Sequence, residues 1–104
     1  MATAEVRETL IKAAELIERD GWTRRALEYG KRHCALGAIF RIAGFDWMSE
    51  TAIPAVVLET EKHLASYIRS TGRHDLSIDG WNDAQTRRAP VVRGLRAAAE
   101  WEPS

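Results

Sequence analysis

Neither sign of charge predominates in this sequence. Lys plus Arg and Asp plus Glu each number 15, for a formal net charge of zero. A domain built mainly to grip nucleic acid carries a clear basic excess, so this balance counts against DNA or RNA as the partner. Cysteine is nearly absent: with Cys34 alone, no intramolecular disulfide can form, and a reducing cytoplasm is the simplest setting. Long apolar runs are missing too. The stretch from Trp47 to Leu58 contains Glu50 and Pro54 and is too short to span a bilayer, so no membrane role is expected. The first residues lack the basic-then-apolar layout of a secretory signal. His33, Cys34, His63 and His74 show no ligand spacing, so neither a metal nor a cofactor is expected.

What the chain does have is helical periodicity over a length suited to one domain, residues 1–104. From Thr3 to Asp20, Val6, Leu10, Ala13 and Ile17 recur at helical spacing, and Ile11, Ala14 and Leu16 widen the stripe. Thr3 can cap this helix, Glu5 suits its first turn, and Gly21 suits its end. Trp22 to Arg32 reads as a surface loop with at most one helical turn. His33 to Ala43 is apolar almost all round, the pattern of a short buried helix. A third helix is expected from about Ala52 to Ser70, with Ile53, Val57, Thr60, Leu64 and Tyr67 or Ile68 on one face. Pro54 belongs in its first turn, which sets the start near Thr51 or Ala52. Arg73 to Gln85 reads as a loop, with Leu76 and Ile78 hinting at an extended piece. The last helix is expected from about Arg88 to Trp101, with Gly94 allowing close packing against the second. The expectation is an all-α, four-helix domain with a short buried central helix.

Two patches stand out from this background: Cys34-Ala35-Leu36-Gly37-Ala38, and Gly80-Trp81-Asn82-Asp83. With the Gly21-Trp22 step, Gly44 and Arg87, they follow the order seen in a family of small helical proteins of unknown function, frequent in actinobacteria and their phages. The chain resembles that family over nearly its whole length. It departs from it in lacking a Thr cap and following Glu at the last helix, and in a short Trp22–Cys34 stretch. The resemblance implies a fold and an actinobacterial or phage origin, and no reaction.

The candidate sites each have a bland reading beside a functional one. Cys34 is the one thiol nucleophile on offer, with Arg32 and His33 beside it to lower its pKa. His33, His63 or His74 would be the base, and Asn82 or Asp83 the orienting group. The bland reading makes Cys34 a small core residue under Trp81, with Asn82 tying a loop to the helix start and Asp83 pairing with Arg87. Arg24, Arg25, Lys31 and Arg32 form one basic cluster, and Arg87, Arg88, Arg93 and Arg96 another; both suit phosphates or a solvated face. The chain has four tryptophans, of which Trp47 and Trp101 fall at helix margins. Exposed aromatics near arginine are typical of protein contacts. The leading expectation is therefore a cytoplasmic module that binds another protein through Trp47, Trp101, Arg24 and Arg25, with a homodimer left open. A thiol-dependent enzyme and a nucleic-acid-binding protein are the alternatives.

Overall fold

The first helix, α1 (Ala4–Asp20), forms where the apolar stripe predicts it. Thr3 caps it by accepting the Val6 N–H at 3.1 Å, and Val6, Leu10, Ala13, Ala14, Leu16 and Ile17 are buried. The structure, a computed structural model, describes residues 3–73 and 77–103. After α1 come a hairpin of β1 (Glu28–Tyr29) and β2 (Arg32–His33), then α2 (Ala35–Ile42), α3 (Ala55–Ser70), α4 (Ile78–Asp83) and α5 (Arg88–Glu100). α1 packs most extensively on α5, then on α2 and α3. Leu10, Ile17, Ile39, Leu64, Ile68 and Leu95 meet in the core with no solvent exposure. Each such side chain stabilises the fold by about 1.5–3 kcal/mol through apolar burial. None of the described helices is long and apolar enough to cross a membrane.

Three expectations need correction. Trp22 to Arg32 is not a plain loop: Glu28 pairs with His33 and Tyr29 with Arg32 around a turn at Gly30 and Lys31. Trp22 also bridges to His33. Residues 78–83 are helical, so the four expected helices are joined by a fifth, α4, which carries Trp81, Asn82 and Asp83. Ser77 caps α4 by accepting the Gly80 N–H at 3.0 Å. The third helix begins later than expected, because Pro54 is its N-cap and not a first-turn residue. Ile53 therefore lies outside it and is 47% exposed, while Val57, Thr60, Leu64 and Ile68 line the buried face. His74 and Leu76, named above as a candidate base and as part of an extended piece, lie outside the described residues.

Two glycines explain how the small elements sit so close to the helices. A methyl group on Gly37 of α2 would lie 2.8 Å from the Leu27 carbonyl carbon, and closer still to its oxygen. A methyl group on Gly94 of α5 would lie 2.8 Å from Trp81 Cη2. Gly94 thus admits the Trp81 indole of α4, not the second helix as its sequence position suggested. Gly37 admits the backbone of the hairpin segment.

Candidate functional site

Asn82 lies at the junction of the two motifs and is fully buried. Its Oδ1 accepts the Ala35 N–H at 3.0 Å and the Trp22 indole N–H at 2.8 Å. Its Nδ2 donates to the Thr23 carbonyl at 3.2 Å and to Asp83 Oδ1 at 3.1 Å. Ala35 opens α2, where the first amides have no partner within the helix. One side chain on α4 thus supplies that partner and fixes the Trp22 ring. Asp83 continues the joint: its Oδ1 accepts the Arg25 N–H at 3.0 Å. Arg25 takes a left-handed backbone with φ of 65°, unusual for a residue with a side chain. Among the described residues Asp83 makes no ion pair with Arg87, contrary to the i, i+4 expectation.

Cys34 is the N-cap of α2, and its Sγ accepts the Gly37 N–H at 3.3 Å. The sulfur environment opposes thiolate formation. Burial pushes the thiol pKa up, Asp79 and Asp83 push it the same way, and the Gly37 N–H offsets only part of this. Among the described residues no histidine hydrogen-bonds to the sulfur. His33 is buried at 5% exposure, with its backbone bonded to Gly21 and Thr23. Its Nδ1 has no hydrogen-bond partner and lies 3.8 Å from Glu28 Oε1, within ion-pair range but beyond a hydrogen bond. His63 bonds the Ala98 carbonyl through Nε2 at 2.8 Å, linking α3 to α5.

The partner-binding candidates separate into two groups. Trp101 is half-buried, with its ring 5.5 Å from His63 and 5.9 Å from Tyr67, so it serves the α3–α5 contact. Arg24 donates to the Gln85 carbonyl at 3.0 Å, and its guanidinium lies 6.0 Å from the Trp22 ring centre. In the second basic cluster, Arg88 donates to the Glu18 carbonyl and Arg96 pairs with the Glu18 carboxylate. These three arginines brace the frame. Trp47 and Arg25 stand apart from them. Trp47 is 44% exposed and borders a cleft of about 320 Å³ with Arg25, Ala26, Leu27, Cys34, Asp79 and Asp83. The same indole borders a second cleft, of about 480 Å³, with Phe45 and Met48 among its walls. Met48 is 77% exposed and Tyr29, at the hairpin, 70%. The loop that carries Trp47 is held by Asp46, whose Oδ1 accepts the Met48 N–H at 3.0 Å and whose carbonyl accepts the Ser49 hydroxyl at 2.7 Å.

Asp79 was missed in the sequence. It opens on the first cleft and on a third, which Leu36, Glu61, Lys62, Ala65, Ser77 and Ile78 also line. Burial, and then the neighbouring Asp83, hold its carboxyl above the usual carboxylate value. Burial, and then Asp79, do the same to Glu61. The available signal was the i, i+4 spacing of Asp79 and Asp83, which puts both on one helical face. Among the described residues, no cluster of His, Cys, Asp and Glu could hold a metal ion.

A model of a family of unknown function, DUF6197, matches residues 1–100. The chain belongs to this family. No curated protein and no solved structure matches significantly. In this DUF6197 protein the Asn82 joint ties α4 to the Trp22–Thr23 segment and to the start of α2, and Trp47 stands exposed beside two clefts.

Proposed function

We propose that this chain is a non-enzymatic protein-binding domain whose contact surface centres on Trp47 and Met48. The observation that carries this reading is the exposed indole standing between two clefts, on a loop pinned by Asp46. Solvent-exposed aromatic and methionine side chains beside concave surface are what dominant interface contacts look like. A pinned loop also loses little conformational entropy on binding. The raised thiol pKa of Cys34, with no histidine bonded to it among the described residues, favours binding over thiol chemistry. The bonds made by Arg24, Arg88 and Arg96 within the fold favour it over phosphate contact. A reducing cytoplasm suits this reading, because the single cysteine is free and buried.

The test is affinity capture from cells of the source organism with the wild-type chain and the Trp47→Ala/Met48→Ala variant, followed by calorimetry with the purified captured protein. The reading expects a protein retained by the wild type, bound stoichiometrically, and lost with the double variant. Equal retention by both forms overturns it.

A further inference from the structure

Of the three clefts around Trp47 and Asp79, the first adjoins each of the other two. Trp47 borders the first and second, and Asp79 borders the first and third. Together they offer apolar wall from Leu36, Leu27, Trp47 and Met48, with Glu61, Asp79 and Asp83 between. Resting on the interaction reading above, we propose that this groove takes an extended segment of a partner protein in which a basic side chain is flanked by apolar ones. The basic group sits at Asp79, within reach of Glu61 and Asp83, and an apolar neighbour packs on Trp47.

Charge complementarity selects this occupant. The three clefts gather five carboxylates, Glu28, Asp46, Glu61, Asp79 and Asp83, against three cations, where the chain as a whole is neutral. Arg25, Arg41 and Lys62 line the same walls, yet among the described residues none of their side chains forms an ion pair with Asp79, Asp83 or Glu61. Neighbouring like charges gain when a cation arrives, because their mutual repulsion is then relieved. The upward pKa displacement of Asp79 and Glu61 is the mark of that unmet demand. Length fits too: six to eight extended residues cover roughly 20–26 Å, within the 37 Å long dimension of the molecule.

The test is selection of a random short-peptide library on the immobilised wild-type chain, then fluorescence anisotropy of the selected peptides with the wild type, Asp79→Asn and Trp47→Ala. Among the described residues Asp79 makes no side-chain hydrogen bond, so Asp79→Asn is expected to fold normally, with circular dichroism as the check. The inference expects peptides enriched in Lys or Arg beside apolar residues. It expects about fivefold weaker binding with Asp79→Asn, a fall in affinity with added salt in the wild type, and a shallower salt dependence in the variant. If the peptides lack basic residues, or Asp79→Asn binds as the wild type does while Trp47→Ala weakens binding, the groove's charge preference is overturned and the contact surface stands. If Trp47→Ala also binds unchanged, or nothing is enriched, the groove proposal fails outright.

Discussion

Replacing Asn82 by alanine removes four hydrogen bonds at one buried point and leaves their partners behind. The Ala35 amide is the costliest loss: residue 35 is fully buried and opens α2, so neither water nor the helix replaces Oδ1. A buried donor stranded in this way costs about 1–3 kcal/mol. The Trp22 indole N–H is half-buried and regains some of its loss from water; the Thr23 carbonyl regains more. Together the change destabilises the fold by about 3–5 kcal/mol, against a total of about 5–15 kcal/mol for a chain of this length. Urea unfolding followed by far-ultraviolet circular dichroism reads this directly. With a slope of about 1–3 kcal/mol per molar urea, the midpoint falls by about 1–5 M, or the variant is unfolded at the start. Trp22→Phe removes one of the same bonds and costs about 1 kcal/mol alone. Combined with Asn82→Ala it adds less than that, because the bond is already gone. A loss below about 1 kcal/mol for Asn82→Ala refutes the idea that this side chain is the joint.

Further outcomes follow from the same structure. Gly37→Ala drives a methyl into the Leu27 carbonyl, and backbone cannot step aside as a side chain can, so the variant is expected to lose more than about 3 kcal/mol in urea unfolding. Gly94→Ala pushes on the Trp81 ring and costs about 1–3 kcal/mol; a higher midpoint for either variant contradicts the packing described. Asp79→Asn tests the strained carboxylate through pH. A carboxyl with a raised folded-state pKa binds more protons folded than unfolded, so its penalty is absent below the ordinary value of 3.8 and present above the raised one. The variant's unfolding free energy relative to wild type is therefore higher at pH 7 than at pH 3, by a few tenths of a kcal/mol after solvent screening; an equal or reversed difference in urea unfolding contradicts it. Cys34 is expected to react with iodoacetamide at pH 7 much more slowly folded than in urea, since burial keeps it protonated. Labelling at the unfolded rate, followed by mass spectrometry, contradicts that environment.

The long elements were legible because their signals are local. Val6 to Ile17 repeat at helical spacing, Thr3 caps, and Gly21 stops, so α1 is read within a residue of its observed start. The hairpin was not legible because strands of two residues hold no periodicity, and because its stability comes from outside it: Leu27 accepts the Cys34 N–H, and Trp22 bridges to His33. α4 reads as loop in the sequence because Gly80 in its middle is a poor helix former, although Ser77 and Asp79 carry a cap and a first-turn acid. The start of α3 was misplaced because Pro54 satisfies the same backbone demand as an N-cap that it would in the first turn. Asn82 was foreseen as a tie between loop and helix start. Its dual acceptance from Ala35 and Trp22 depends on residues 47 and 60 positions away, which no local pattern reports. The cleft was invisible for the same reason: Arg25, Trp47 and Asp79 come from three separate segments.

The division between a frame built on Asn82 and a working face built on Trp47 is tested most directly by Trp47→Ala, measured for partner or selected-peptide affinity at a matched melting temperature. The indole is half in solvent and makes no hydrogen bond among the described residues, so its removal is expected to leave the melting temperature within a few degrees. Binding is expected to weaken tenfold or more, the loss of about 1.4 kcal/mol or more that a central interface aromatic supplies. Unchanged affinity with Trp47 removed contradicts it.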